Sequence, residues 1–277
     1  VEGPLLGNGK SSFVFSGKTS YLDKSSEILY KEPILYFDDK GLPYSYTDLY
    51  GKFSLHGNNG SKINVFGFNF QDKVDYVDIS ELNWTSQGIG SEFILIPGNS
   101  PVLIEGNFAY SSYDSSLDEE ASPLRKSGID GFNMGFDFTY FQPKGKIKYG
   151  FDIHGFSTDF TTYNSVNSKI EQKENTSEFS AYINYQFNTT RFIIEPGFRL
   201  QKYTLGVSPE PRLGMKYIAS DRLRFKVSSG YYSQNILSTT SDRDVVNLFS
   251  GIISSPEEIP DQADGNPYKN KFQKSRH

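Results

Sequence analysis

The sequence predicts an all-β fold, a transmembrane antiparallel up-and-down β-barrel, and three observations lead to this prediction. Apolar and polar side chains alternate along about eleven segments, many of them about twice as long as an average strand of ~5–6 residues. The links between these segments are alternately short and long. The composition favours pleated strands, with 23 Phe, 19 Tyr and 25 Gly against 2 Met and 1 Trp.

The first segment covers residues 11–21 and follows a stretch, GNGKS, that partly matches a phosphate-binding loop. Such a loop needs the pattern G-x-x-x-x-G-K-[ST] and must open a helix, because its backbone N–H groups surround the phosphate. Pro4 occupies the position of the first glycine, and proline has no N–H. Phe13, Phe15 and Tyr21 then alternate with polar residues. The stretch is therefore predicted to be a turn that leads into a strand.

The other ten segments show the same period of two residues, with boundaries good to about 2–4 residues. Along the sixth segment, for example, Phe132, Phe136 and Tyr140 share one face. An apolar face opposite a polar face is typical of a strand that borders two environments. The ten segments are 44–56, 62–72, 81–95, 102–113, 129–142, 146–157, 175–187, 191–203, 208–218 and 222–234.

The links alternate between tight turns and longer polar stretches, which predicts a meander with its tight turns at one end. Outer-membrane barrels have short turns on one side and long loops on the other, whereas a soluble β-sandwich has shorter strands of ~5–6 residues. The barrel is therefore the better prediction. The tight turns are 56–62, 96–101, 142–146, 187–191 and 218–222; the longer links are 22–43, 73–80, 114–128 and 158–174, followed by a tail from Asn235.

The orientation of the two faces follows from the solvents on either side. In a large barrel the interior holds water, so the polar face points inward and the apolar face meets lipid. Glu195, Arg199 and Gln201 are therefore predicted to line the interior. Pro196 removes a ladder hydrogen bond from the same strand, for which the sequence offers only a β-bulge as an explanation. Six tyrosines are predicted to form two girdles, Tyr21, Tyr110 and Tyr231 near the long links and Tyr140, Tyr149 and Tyr185 near the tight turns.

Closure of the barrel requires more strands than this sequence supplies. An open sheet in lipid leaves unpaired backbone groups along its edges, and bacterial single-chain barrels use even numbers of strands. Residues 270–277 have the pattern of a strand that has only begun. We therefore expect residues 1–277 to be part of one β-barrel domain, with the first and last strands outside this chain.

Composition and charge disfavour other classes of protein. The sequence has no cysteine, which excludes disulfide scaffolds and thiolate metal sites. A net charge of −5 offers no basic face to nucleic acid. No run approaches the ~18 apolar residues of a transmembrane helix. The mean hydropathy of −0.51 is compatible with barrel strands, because they hide their apolar half in alternation.

Few residues carry a catalytic or metal-binding signature. His56, His154 and His277 lack metal-ligand spacing, and the acidic run at 118–120 lacks the order of a calcium loop. Neither a metal nor a cofactor is therefore predicted. No nucleophile elbow and no paired-carboxylate site can be recognised by spacing. The protein is predicted not to be an enzyme.

The loop SDRDVVNLF places three charged residues, Asp242, Arg243 and Asp244, beside an apolar cluster that ends at Phe249. Two interpretations are open: the loop binds a ligand or a partner lipoprotein, or it packs on itself with Arg243 paired to a neighbouring carboxylate. Self-packing is how compact surface loops usually hold their shape, which favours the second interpretation.

Two stretches of the sequence resemble TonB-dependent receptors of the Bacteroidota outer membrane. EGPLLGNGKSSFVFSGKTSYLD resembles the strand that follows a short periplasmic turn in that family. PRLGMKYIASDRLRFKVSSGYYSQNILSTTSDRDVVNLFSG resembles a later strand, turn, strand and external loop. The resemblance implies a ~22-stranded barrel plugged by a globular domain, of which this chain is the middle part.

The resemblance also implies a function, the import of a scarce large ligand such as a metal chelate, a vitamin, a glycan or a peptide. The energy would come from the inner membrane through the TonB complex, which contacts a plug that lies N-terminal to the barrel and outside this chain. A surface lipoprotein is a further partner that the resemblance suggests. Two alternatives stay open: a structural or adhesion barrel without transport, and a passive porin.

Overall fold

The computed structural model describes residues 1–5, 9–29, 42–76, 78–120, 122–164, 166–204, 206–239, 249, 251–254 and 273–276. Thirteen strands form one antiparallel sheet in the order β1 to β12 followed by β15. These strands are β1 Glu2–Pro4, β2 Ser11–Thr19, β3 Tyr44–His56, β4 Lys62–Tyr76, β5 Ser80–Leu95, β6 Val102–Glu119, β7 Ser122–Gln142, β8 Gly145–Tyr163, β9 Lys169–Asn188, β10 Phe192–Tyr203, β11 Gly206–Ile218, β12 Arg224–Gln234 and β15 Gln273–Arg276. The strands β13 Ile236–Thr239 and β14 Gly251–Ser254 form a separate hairpin.

The sheet has two chemically different faces. Near the tight turns one side carries large exposed apolar residues, including Phe53 at 55% exposure and Ile183 at 52%. We call this side the apolar face, and the part of it that carries the apolar residues the apolar band. The opposite side, which carries Asp137, Asp152 and Arg199, is called the polar face. The six girdle tyrosines are all exposed. An exposed apolar surface of this extent is typical of a sheet that faces lipid.

All eleven predicted strands are present as β2 to β12. The prediction of long loops at 73–80, 114–128 and 158–174 is wrong, because the strands on either side continue through most of these links. The alternation of the band ends there because the side that continues the apolar face becomes polar, whereas the few apolar residues, such as Val74 and Leu117, lie on the opposite side. The backbone hydrogen bonds of a ladder need no apolar face. The pattern therefore marks the apolar band and not the ends of the strands. We call the ends that rise beyond the band the extended end.

The beginning of the chain confirms one prediction and adds a helix. Gly9 has a φ of +66° in the turn before β2, so GNGKS leads into a strand as predicted. The link 22–43 contains a helix, α1 Leu22–Leu29, which a search for alternation misses. The backbone N–H of Leu42 donates to the buried Oγ of Ser26 at 2.7 Å and ties α1 to the chain before β3. In the ranges that the structure covers, no helix is long and apolar enough to cross a membrane.

Pro196 lies in β10 without a bulge, so the explanation suggested by the sequence is wrong. Ile194 opposes Phe187 and Gly197 opposes Asn184, which is one unchanged register with β9 on both sides of the proline. The two pairs between them are missing, whereas β10 pairs continuously with β11 on its other side. The missing N–H therefore interrupts the ladder only towards β9.

Three phenylalanines of β4, Phe66, Phe68 and Phe70, lie on the polar face, against the expectation that aromatic residues point outward. Phe66 opposes Gly90 and Phe68 opposes Gly88. A Cβ added at Gly90 would lie 2.7 Å from the Phe66 ring, and one at Gly88 would lie 2.9 Å from the Phe68 ring. The rings of Phe66 and Phe68 therefore occupy the space that the two glycines leave free, so the glycines accommodate them on this face.

Candidate functional site: the polar face of the sheet

A series of ion pairs and hydrogen bonds crosses the polar face from β6 to β10, and we call it the ionic ladder. Lys148 on β8 lies 3.8 Å from Glu105 on β6 and 2.9 Å from Asp137 on β7. On the next strands Arg199 lies 3.6 Å from Asp152. All these side chains are between a quarter and two fifths exposed, so they are partly screened by water. The ladder is thus a wet, charged surface and not a buried core.

Hydroxyl and amide groups connect the charged members of the ladder. Arg199 donates from Nη2 to Ser180 Oγ at 2.7 Å and from Nε to Gln201 Oε1 at 3.1 Å. Gln201 then donates from Nε2 to Glu178 Oε2 at 3.1 Å. The Tyr182 hydroxyl donates to the carboxylate of Asp137. The strand pairing brings these groups together, because Ser180 faces Asp152 on one neighbouring strand and Gln201 on the other.

A second polar cluster surrounds Glu210 on β11, which is only 3% exposed. Glu210 Oε1 accepts hydrogen bonds from the backbone N–H of Ser233 at 2.9 Å and from its hydroxyl at 2.5 Å. Arg212 donates to Glu210 Oε2 at 2.7 Å, and its guanidinium lies 4.7 Å from the centre of the Tyr232 ring. The pairing of β11 with β12 ends at Arg212. The Glu210 carboxylate therefore supplies an acceptor where the ladder to β12 stops.

The β13–β14 hairpin covers the polar face at the extended end. The Ile252 N–H donates to Ser127 Oγ on β7 at 3.0 Å. The Ser254 hydroxyl lies 3.3 Å from that of Thr158 on β8, and its carbonyl accepts from Gln172 Nε2 on β9 at 3.0 Å. Ser127 and Thr158 are each only 1% exposed, because the hairpin packs directly against them. Three strands thus hold one strand of the hairpin by polar contacts.

Phe249, just before β14, adds an apolar contact between the hairpin segment and the sheet. It is 4% exposed and packs with Val74, Leu82 and Leu117, all on the polar face at the extended end. The guanidinium of Arg125 lies 5.5 Å from the centre of the Phe249 ring and pairs with Glu119 at 3.0 Å. Burial of a phenylalanine side chain contributes about 1.5–3 kcal/mol, whereas a typical hydrogen bond contributes about 1 kcal/mol. Phe249 is therefore the anchor of this region.

An ion cluster lies beyond the apolar band, on the same side of the sheet as the apolar face. Lys73 Nζ is 2.8 Å from Glu81 Oε2 and 3.1 Å from Asp75 Oδ2, and Asn83 Nδ2 donates to Glu81 Oε1 at 2.6 Å. The hydrogen bond from Lys73 lowers the pKa of Glu81 below its ordinary value. The same bond raises the pKa of Lys73. Both side chains are about two fifths exposed, so the pair is screened by water.

The predicted site residues have different positions in the structure. Arg199 and Gln201 belong to the ionic ladder, whereas Glu195 lies on β10 with its side chain exposed. Asp242, Arg243 and Asp244 lie outside the described residues. Lys148, Asp152, Glu178 and Ser180 alternate with apolar residues along their strands, but this pattern contains no signal for their partners.

The histidines and the acidic run, for which the sequence predicts no metal site, lie in separate places. His56 lies at the end of β3 and His154 on β8, and His277 is outside the described residues. Glu119 of the acidic run pairs with Arg125. Among the residues with described positions, no three His, Asp or Glu side chains are grouped so that they could hold a metal ion.

Comparison with known proteins gives matches among solved structures only. No protein-family model matches the sequence, and no curated protein matches it. A double mutant of the Serratia marcescens hemophore receptor HasR, in complex with its hemophore HasA and heme, matches 98% of this chain with a TM-score of 0.60 and 10% identity. A mutant of the ferric enterobactin receptor PfeA from Pseudomonas aeruginosa matches 92% with a TM-score of 0.59 and 9% identity. The siderophore receptor PirA from Acinetobacter baumannii matches 93% with a TM-score of 0.57 and 11% identity.

The likeness establishes the fold. The chain spans 46% of HasR, 45% of PfeA and 44% of PirA, so it corresponds to less than half of each of these chains. The matched structures are outer-membrane β-barrel receptors of the TonB-dependent type. The chain has the fold of part of such an outer-membrane barrel, an antiparallel up-and-down sheet.

Proposed function

We propose that the chain forms part of the barrel of an outer-membrane TonB-dependent receptor that imports a scarce large ligand. The observation that carries the proposal is the two-faced sheet, apolar on one side and lined by the ionic ladder on the other, in the fold of receptor barrels. The apolar face meets lipid, and the polar face lines the water-filled interior with Glu195, Arg199 and Gln201. Residues 1–277 belong to one barrel domain whose plug and remaining strands lie outside this chain.

The position of the β13–β14 hairpin favours a receptor over a passive porin. The hairpin packs on the polar face through Phe249 and three polar contacts, so it fills space at the extended end of the interior. A passive porin keeps an open aqueous channel.

The ligand belongs to one of four classes: metal chelates, vitamins, glycans or peptides. The matched receptors are named for a hemophore, ferric enterobactin and a siderophore, so a metal chelate is the first class to test. Energy comes from the TonB complex through the plug. A surface lipoprotein is the partner proposed at the extended end, where Asp242, Arg243 and Asp244 follow β13 in the sequence. The resemblance to Bacteroidota receptors supports the proposal of a lipoprotein partner. The protein is proposed to act as a transporter and not as an enzyme.

The test is uptake by cells that express the full-length protein, with and without the TonB protein. Cell fractionation first establishes whether the protein is in the outer membrane. We expect cells with TonB to accumulate one labelled ligand from a set that contains ferric enterobactin, heme, cobalamin, an oligosaccharide and a peptide mixture. Accumulation should fall to background in cells without TonB.

Each alternative has its own outcome in this experiment. Uptake that continues unchanged without TonB, together with conductance in planar bilayers, would identify a passive porin. A protein that is present in the outer membrane and takes up no member of the set would favour the structural or adhesion barrel.

A further inference from the structure

A polar cavity of about 470 Å³ lies just beyond the apolar band, on the same side of the sheet as the apolar face. Its floor includes Thr19, Thr47 and Gln71, which oppose one another on β2, β3 and β4. Thr47 is two residues from Leu49, which is 43% exposed in the apolar band, so both side chains point to the same side. The cavity therefore begins where the apolar band ends.

The chemistry of the cavity suits an anionic group with several acceptor oxygens. Lys73 from the floor and the exposed Lys24 from α1 contribute two ammonium groups. The charge of Lys73 is already balanced by Asp75 and Glu81, so Lys73 offers its third N–H as a donor and Lys24 supplies the positive charge. The threonine hydroxyls and the Gln71 amide add neutral donors. Ammonium groups together with hydroxyl and amide donors are a common setting for phosphate.

The rim of the cavity has the character of a membrane interface. Tyr21, which lines the cavity beside α1, is 66% exposed. On α1 itself Leu22 is 40% exposed and Ile28 is 73% exposed. Tyrosine and exposed apolar residues beside a polar cavity are typical of the level at which lipid headgroups lie.

We propose that this cavity binds the phosphorylated headgroup of a membrane lipid whose acyl chains run along the apolar band. The two ammonium groups contact the phosphate, and the hydroxyl row contacts the remainder of the headgroup. The volume lies within the range of ~300–1,000 Å³ that is usual for small-molecule sites. The inference rests on the proposed function only in that it requires the apolar face to lie in a membrane.

The experiment counts lipids bound to the full-length protein by native mass spectrometry in detergent. The protein is titrated with phosphatidylglycerol, and with diacylglycerol as the lipid without phosphate. We expect one tightly bound phosphatidylglycerol and no bound diacylglycerol. Lys24→Ala should weaken phosphatidylglycerol binding about fivefold, the value of one exposed ionic contact. Thr47→Phe, which fills the cavity and changes no charge, should abolish binding at this site.

Lys126→Ala is the matched control, because Lys126 is also exposed beyond the band on the same side of the sheet and does not line the cavity. It should bind phosphatidylglycerol like the wild type. Binding that is unchanged in both Lys24→Ala and Thr47→Phe would overturn the proposal. Displacement of the lipid by an equal concentration of inorganic phosphate would also overturn it, because the cavity would then be a site for a free anion.

The lipid proposal and the proposed function fail in distinguishable ways. A wild-type protein that does not fractionate with the outer membrane contradicts the proposed function before any lipid is added. A protein that inserts and imports its ligand but retains no phosphatidylglycerol contradicts only the lipid site.

Discussion

The two ends of the same strands are stabilised differently. Near the tight turns, the sheet places an apolar band on one face and the ionic ladder on the other. At the extended end the side that continues the apolar face is polar, and a hairpin anchored by Phe249 in a small apolar cluster covers the other side. The comparison shows that one continuous backbone ladder serves two environments. Side-chain alternation reports the solvent on each face, whereas the strand itself depends on backbone pairing.

The largest effect is expected from Phe249→Ala at the extended end. Removing a fully buried phenylalanine costs about 3–5 kcal/mol, and here the loss should release the hairpin without unfolding the sheet. Hydrogen exchange of the Ile252 amide, whose N–H donates to Ser127 Oγ, measures the release. Phe141→Ala is the control, because that ring is 49% exposed near a tight turn and should leave the exchange unchanged. An Ile252 amide that stays protected in Phe249→Ala would show that the polar contacts alone hold the hairpin.

The next largest effect is expected from an arginine introduced within the apolar band, compared with one introduced on the same side of the sheet beyond the band. Phe179→Arg places a charge in the middle of the apolar band, where Phe179 is 44% exposed, and should cost about 2–4 kcal/mol in a lipid bilayer. Asn175→Arg lies on the same strand and the same face, beyond the band, and should change stability by less than about 0.5 kcal/mol. Urea unfolding of the full-length protein in lipid vesicles measures both. Equal costs for the two substitutions would contradict the assignment of the band to lipid.

The smallest effect concerns the pair of Lys73 and Glu81 at the extended end. Because this contact lowers the pKa of Glu81 in the folded protein, its contribution is present above the ordinary pKa of a glutamate and is lost as the pH falls through the lowered value. Wild type should therefore be slightly more stable than Glu81→Gln near neutral pH, and the difference should vanish in acid. Urea midpoints at a series of pH values measure it. If wild type stays more stable than Glu81→Gln in acid, packing of the side chain and not the ion pair causes the difference in stability.

The sequence predicted much of the fold because alternation is a local property. All eleven strands were recognised, and Arg199 and Gln201 were assigned to the polar side of theirs. Two errors have clear physical causes. The links predicted as loops are strands that lack the apolar face, and Phe66 and Phe68 lie on the polar face where glycines on the next strand leave room for their rings. Neither cause is visible within a single segment.

Alternation along the chain is enough to locate the strands that cross the apolar band and the polar side of most of them, because both depend on residues two positions apart. The partners of the polar residues depend on the tertiary structure. Arg199 meets Asp152 through the pairing of three strands, and Thr158 meets Ser254, 96 residues later, through the docking of a hairpin. Register and docking are set by contacts between distant segments, and such contacts leave no period in the chain.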